Sequence, residues 1–391
     1  MMERLALIGA RIFDGERFHE HKALVLRGGK IEALVATADL DPTIPRRDLA
    51  GGVLAPGFID AQVNGGGGIM LNDAPRPETM ARIAAAHRIH GTTSLLPTLI
   101  TDGRQAIESA LEAAADSVRS DQGVAGLHLE GPHLAPARKG AHPAEFMRPV
   151  VADDIALYIS FAERIGTLLL TLAVEQVTAK QVAELTEAGI IVSIGHSDAK
   201  ASEAQALFDA GAHGVTHLFN AMSQLGNREP GLVGAAIDHP SVWCGIIADG
   251  HHVDPISHRL ALRAKRAVTG PGRLFLVTDA MALVGSTSDH FLLHGRTVRR
   301  TPGDLCAKLT LDDGTIAGSD LDMASAIRFC VERLDLSLAE ALAMATSYPA
   351  RFLKITDRGM IKPGLRADLV HLDASLSVTD TWLSGRSASG A

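Results

Sequence analysis

Residues 190–217 read IIVSIGHSDAKASEAQALFDAGAHGVTH. The apolar run Ile190–His196 reads as a strand. Ser202–Ala210 follows helical spacing, turns Leu207 and Phe208 inward and stops at Gly211. Gly214–His217 is the next strand, so the segment is one β-α-β unit with a histidine closing each strand. The same alternation runs on both sides. Upstream lie strand-like runs at Val53–Asp60, Thr93–Thr98, Val124–Glu130 and Thr167–Ala173; downstream lie Trp243–Asp249 and Leu274–Asp279. Helical patterns separate most of them. Thr178–Ala188, for example, starts on a Thr178/Gln181 capping box, buries Val182 and Leu185 and ends at Gly189. Eight strands alternating with helices predict an α/β fold, a (β/α)8 TIM-like barrel. A doubly wound open sheet would need a glycine fingerprint after its first strand. The run Gly65–Gly68 has neither that spacing nor a phosphate-loop ending.

The two ends of the chain change style. Leu5–Ile8, Ala23–Leu26 and Ile31–Leu34 are short strands punctuated by Asp14-Gly15 and Gly28-Gly29, the chemistry of hairpin turns. Ala367–Leu372 and Ser377–Trp382 return to the same pattern. Chain ends commonly lie close together in a domain. One small β-sandwich built from residues 1–52 and 351–391 is therefore expected beside a barrel of residues 53–350. Asp289–Gly318 interrupts the rhythm with hairpin-like segments and reads as an insertion after the eighth strand.

Composition narrows the function classes. The chain has 391 residues, 46% hydrophobic and 21% charged, which suffices for a large core without a metal or disulfide to hold it. Lys and Arg number 37 against 45 Asp and Glu, a net charge of −8, which argues against binding a nucleic-acid backbone. Three cysteines without a C-x-x-C spacing point to a reducing, cytoplasmic setting. No apolar run reaches membrane-spanning length, and the start, MMERLALIGARIFDGE, lacks the basic and apolar regions of a leader. No membrane association is expected.

The polar residues carry the chemistry. Four strands end in Glu130, His196, His217 and Asp279, and in a barrel the C-terminal strand ends converge on one mouth. A lone strand-end histidine is more often structural; the four together favour a metal hydrolase. One carboxylate and two imidazoles compose an open catalytic site with a position left for water, whose pKa a bound ion lowers to about 7. One divalent metal per subunit is expected, Zn2+ first, though N/O donors also accept Fe2+, Mn2+ or Co2+. Asp279 is placed to take the water's proton and hand it to a leaving group. His128, two residues before Glu130, is expected to support the site from behind. The same donor set describes non-haem iron oxygenases, but the barrel rhythm and the strand-end Asp279 favour hydrolysis.

On these residues the chain resembles the amidohydrolase superfamily, over essentially its whole length. Val53-Leu-Ala-Pro-Gly-Phe-Ile-Asp60 is similar to that superfamily's first barrel strand. Gly359-Met-Ile-Lys-Pro-Gly-Leu-Arg-Ala-Asp-Leu-Val370 is similar to its return into the small β-domain. Within it, His128-Leu-Glu-Gly-Pro132, Gly195-His-Ser197, Thr216-His-Leu-Phe-Asn-Ala-Met222, Arg228-Glu-Pro-Gly231 and Ala248-Asp-Gly-His-His-Val-Asp254 resemble the N-acetylglucosamine-6-phosphate deacetylases. The resemblance implies deacetylation of that sugar phosphate, with Glu130, His196 and His217 on the metal and Asp279 as general base, then acid. It implies that His142 polarises the acetyl carbonyl, that Asn220 and the Ala221 backbone contact the sugar phosphate, and that His252 and Arg228 complete the phosphate site. Arg228 would reach in from a neighbouring subunit, which implies a homodimer.

The chain departs from the superfamily at Gln62 and Asn64, which stand where many members carry a His-x-His pair for a second metal. Neutral amides are poor ligands, so one metal is expected. His133 is an extra potential ligand. The galactosamine epimer, another amidohydrolase substrate and a non-catalytic scaffold are the competing readings.

Overall fold

The computed structural model describes residues 4–388; positions 1–3 and 389–391 lie outside that range. Eight parallel strands form the central sheet: β1 (Phe58–Val63), β2 (Thr92–Ile100), β3 (Leu127–Glu130), β4 (Leu168–Leu172), β5 (Ile191–Ile194), β6 (Gly214–Val215), β7 (Trp243–Ile246) and β8 (Leu274–Leu276). Each pairs with its neighbours in chain order, as β-α-β units with helical crossovers require. The sheet closes where β8 runs on towards β1. Val63 bridges Ala280, the Asp279 N–H donates to the Gln62 carbonyl at 3.0 Å, and the Asn64 N–H donates to the Ala280 carbonyl at 2.9 Å. The result is the expected (β/α)8 barrel. Its strands are buried on both faces, all nine residues of β2 among them, which is why they read as continuous apolar runs.

The stretch Val53–Asp60 is not one strand. Val53–Pro56 belongs to a terminal sheet, pairing with Leu369–Leu372, and the chain then breaks at Gly57 before β1 begins. The Gly57 N–H donates to the Asp368 carbonyl at 2.8 Å, and a Cβ there would lie 2.2 Å from the Thr93 hydroxyl oxygen. Only glycine fits that close approach. Because β1 starts later, it also ends later, and carries Gln62 to the mouth of the barrel.

The remaining strands of the two chain ends form two sheets. Arg4–Ile8, Lys22–Arg27, Lys30–Ala36 and Arg46–Asp48 make one; Arg11–Phe13, Phe18–His19, Val53–Pro56, Leu369–Leu372, Val378–Leu383 and Arg386–Ser387 make the other. Leu7, Ile12, Leu24, Leu54, Leu369 and Trp382 are buried between them, so the β-sandwich is built from both termini as expected. At Gly28-Gly29 both residues have positive φ, 56° and 81°, in the turn that pairs Arg27 with Lys30.

The interruption after β8 is a three-stranded antiparallel sheet of His290–Leu293, Arg296–Thr301 and Lys308–Leu311. Its Leu293, Val298, Leu309 and Leu311 pack on Met70, Ile100, Ala141 and Met281 around the barrel mouth. The Arg296 guanidinium also donates to the Ala141 carbonyl, next to His142. The insertion therefore forms one wall of the opening above the strands.

Candidate active site

Glu130 is the last residue of β3, whereas His196, His217 and Asp279 lie two or three residues beyond β5, β6 and β8. Those three have positive φ, 48°, 32° and 52°. Positive φ is uncommon for any residue with a Cβ, and it persists where the surroundings over-determine it. Here it turns each side chain out of its strand and into the mouth. All four are buried, at 2%, 4%, 4% and 9% exposure.

The donor atoms meet at one point. His217 Nε2 lies 2.9 Å from Glu130 Oε1, His196 Nε2 lies 3.3 Å from the same oxygen, and the two Nε2 atoms are 3.2 Å apart. The other ring nitrogen of His196 donates to the Arg138 carbonyl at 2.8 Å, which leaves its Nε2 as a lone pair. Two imidazole nitrogens and a carboxylate oxygen so close together need a positive charge between them. Burial penalises charge on Glu130, yet the His196 and His217 rings beside it hold its pKa well below the usual value. Burial likewise opposes charge on His217, and the Glu130 carboxylate overcomes it and raises the pKa. The convergence of these three donor atoms, two nitrogens and one carboxylate oxygen, fits a divalent cation.

Donor atoms of Glu130, His142 and His196 also lie within 4.8 Å of one another, which makes His142 a rival ligand. Its tautomer argues otherwise. The Thr101 backbone N–H, which can only donate, points at His142 Nδ1 at 3.3 Å, and the Thr101 hydroxyl lies 2.9 Å from the same nitrogen. The ring proton is therefore on Nε2, the atom that faces the site 3.7 Å from Glu130 Oε2. An N–H there is a hydrogen-bond donor to a substrate, not a lone pair for a metal. Burial, with repulsion from His196, lowers the His142 pKa to about 3 and keeps the ring neutral.

Asp279 faces the cluster from β8. Burial first, and the Glu130 charge second, push its pKa up to about 6. Its Oδ1 accepts from Asn64 Nδ2 at 2.7 Å and from Gln62 Nε2 at 3.1 Å; Gln62 Nε2 also donates to Glu130 Oε1 at 3.0 Å. The sequence marked these two amides only as missing ligands. Their use as donors was not legible, because the acceptor Asp279 is more than two hundred positions away in the chain.

Above the cluster opens a cavity of about 340 Å³ lined by Asn220, Ala221 and His252 as well as by Glu130, His142, His196, His217 and Asp279. His252 is distinguished from His251 by its partner: its Nδ1 lies 2.6 Å from Asp249 Oδ2, whereas His251 Nε2 bonds the Cys306 carbonyl at 3.1 Å and lines a different cavity. Arg138 also lines the site, with its guanidinium on Asp198 at 2.6 Å and 2.9 Å. Neither Asp249 nor Arg138 was singled out in the sequence. Arg228 does not line this cavity; it is exposed in the loop before the helix Gly231–Asp238.

Two other histidines take no part in the cluster. His133 bonds the Arg148 carbonyl and the Tyr158 hydroxyl, each at 3.0 Å, so both ring nitrogens are used away from the site. His128 hydrogen-bonds inside the barrel instead, its Nε2 to the Thr171 hydroxyl at 2.7 Å and its Nδ1 to the Thr98 hydroxyl at 3.4 Å.

Comparison with known proteins adds to this geometry. A profile described as the Amidohydrolase family matches residues 53–388, and one described as the NagA composite domain matches residues 5–54. The chain is 42% identical over 383 residues to an N-acetylgalactosamine-6-phosphate deacetylase of Shewanella sp. (strain ANA-3), covering 96% of this chain and 94% of that one. It is 34% identical over 388 residues to an N-acetylglucosamine-6-phosphate deacetylase of Haemophilus influenzae, covering 98% and 99%. The crystal structure of N-acetylglucosamine-6-phosphate deacetylase from Pasteurella multocida superposes with a TM-score of 0.92 at 34% identity, over 98% of this chain and 99% of that one.

Proposed function

The chain belongs to the amidohydrolase family, and on that footing we propose that it is a metal-dependent deacetylase. It hydrolyses the acetamide of N-acetyl-D-glucosamine 6-phosphate, giving D-glucosamine 6-phosphate and acetate. The observation that carries this reading is the meeting of Glu130, His196 and His217 beside Asp279 on the floor of one cavity.

Glu130, His196 and His217 would hold one divalent cation per subunit, Zn2+ in first place and Fe2+, Mn2+ or Co2+ as other occupants of an N/O donor set. Such an ion supplies Lewis acidity, which acidifies water and polarises a carbonyl. Asp279 takes a proton from the attacking water as its oxygen bonds the acetyl carbon. Asp279 then returns that proton to the nitrogen as the C–N bond breaks, since an amine leaves poorly until protonated. The Nε2–H of His142 donates to the carbonyl oxygen as negative charge gathers there.

The sugar phosphate is held by Asn220, the Ala221 backbone and His252 from this chain, and by Arg228 from a neighbouring subunit of a homodimer. The exposure of Arg228 outside its own cavity supports that arrangement. The buried, unbridged cysteines Cys244, Cys306 and Cys330 support a cytoplasmic setting. Among the described residues no helix is long and apolar enough to cross a membrane.

The galactosamine epimer is the second reading, favoured by the 42% identity to the Shewanella relative. Acetate release from the two phosphorylated epimers in competition, beside unphosphorylated N-acetylglucosamine, tests both. A higher kcat/KM for the gluco epimer supports the first reading, and a higher value for the galacto epimer replaces it with the second. Equal rates with and without the phosphate would overturn the phosphate site.

A further inference from the structure

Gln62 and Asn64 converge on a single oxygen of Asp279. Asn64 Nδ2 and Gln62 Nε2 both donate to Oδ1, at 2.7 Å and 3.1 Å, and the Gln62 backbone carbonyl accepts the Asp279 backbone N–H at 3.0 Å. Among the described residues Oδ2 receives no hydrogen bond, and Asp279 lines the cavity. Two donors on one carboxylate oxygen fix the rotation of the group and occupy that oxygen's lone pairs. The same Gln62 amide reaches Glu130 Oε1 at 3.0 Å, so it also sets the separation of the two carboxylates.

We propose that Gln62 and Asn64 are positioning residues that hold Asp279 by Oδ1 and present Oδ2 as the oxygen that takes and returns the proton. This rests on the reading of Asp279 as the general base. The amide pair does by neutral hydrogen bonding what an added charge could also do: it keeps two buried carboxylates close together in fixed orientation. The donors must be NH2 groups at these two places, because an aliphatic side chain would leave Oδ1 free to turn into the cavity, and a carboxylate would repel it.

The test is a double-mutant cycle on the metal-loaded protein, with kcat, KM and metal content measured for Asn64→Leu, Asp279→Asn and the pair, and Gln62→Met as a second variant. Loss of a group that orients a catalytic partner commonly costs about 10- to 100-fold. The expected result is a kcat loss of that size for Asn64→Leu, with KM and metal content within about twofold, and a solvent deuterium isotope effect larger than that of the unaltered protein. In the Asp279→Asn background, Asn64→Leu is expected to cost nothing further. Equal losses in both backgrounds, or an unchanged kcat for both Asn64→Leu and Gln62→Met, would overturn the proposal and leave the base assignment intact. Normal turnover of Asp279→Asn alone would overturn the base assignment, and the proposal with it.

Discussion

The Nε2 atoms of His196 and His217 lie 3.2 Å apart, each turned towards Glu130 Oε1, with all three side chains buried. Three electron-pair donors at that spacing repel unless a cation lies among them. Metal binding is therefore coupled to stability. A chelator is expected to lower the thermal midpoint, and one equivalent of Zn2+ to restore it. At a thousandfold excess over Kd the bound ion contributes about 4 kcal/mol. Identical melting curves with and without metal would contradict the assignment.

His142 carries its proton on Nε2, so it is expected to act on the substrate and not on the ion. His142→Asn should retain one metal per chain while kcat falls by about 10²- to 10³-fold, as for removal of a donor to a developing oxyanion. Loss of the metal with the side chain would make His142 a ligand.

Asp249 fixes His252 through a 2.6 Å contact and also accepts the backbone N–H groups of His251 and His252 at 2.8 Å and 2.9 Å. Asp249→Asn should raise KM for the phosphorylated sugar by about tenfold and leave kcat nearly unchanged, because the interaction lost is remote from the scissile bond. An unchanged KM would separate His252 from the phosphate.

Arg228 gives the subunit arrangement a direct readout. Arg228→Ala and Asp279→Asn proteins should each be weakly active alone. Mixed and allowed to exchange subunits, they should regain activity, since half of each hybrid's sites would combine an intact Asp279 with an intact Arg228. No recovery after demonstrated exchange would place Arg228 at its own chain's site or at none.

His258 predicts acid sensitivity. Burial lowers its pKa to about 4, and neither ring nitrogen has a partner among the described residues. The unfolded chain takes up a proton near pH 6.5 that the folded chain refuses until about pH 4. Its neutral burial therefore favours the folded state above about pH 6.5, and stability is lost as the pH falls from there towards 4. The full effect is about 3 kcal/mol. His258→Phe, which keeps an aromatic ring beside Phe329, should flatten the fall in urea midpoint between pH 7 and pH 5. An unaltered slope would assign the acid sensitivity to other groups.

Much of this was legible in the sequence for a physical reason. Strands of a parallel barrel are buried on both faces, so β4 and β5 stand out as apolar runs, and a polar residue that ends such a run marks the mouth. Glu130, His196, His217 and Asp279 were found in that way. The division of Val53–Asp60 was hidden because both halves are fully buried, one in the sandwich and one in the barrel, with Gly57 the only mark of the break. The roles of Gln62 and Asn64 were hidden because a side-chain hydrogen bond between β1 and β8 leaves no periodic trace. Asp249 had a local signal, three residues before His252, that the choice between His251 and His252 could have used.

The central claim is a single-metal hydrolysis of a phosphorylated N-acetyl amino sugar. Its most direct test is to strip the protein of metal and titrate it with Zn2+ while measuring acetate released from N-acetyl-D-glucosamine 6-phosphate. Activity should be absent at the start, rise with added ion and level off at one equivalent per chain. Turnover without metal, a plateau only at two equivalents, or no acetate at any loading would contradict it.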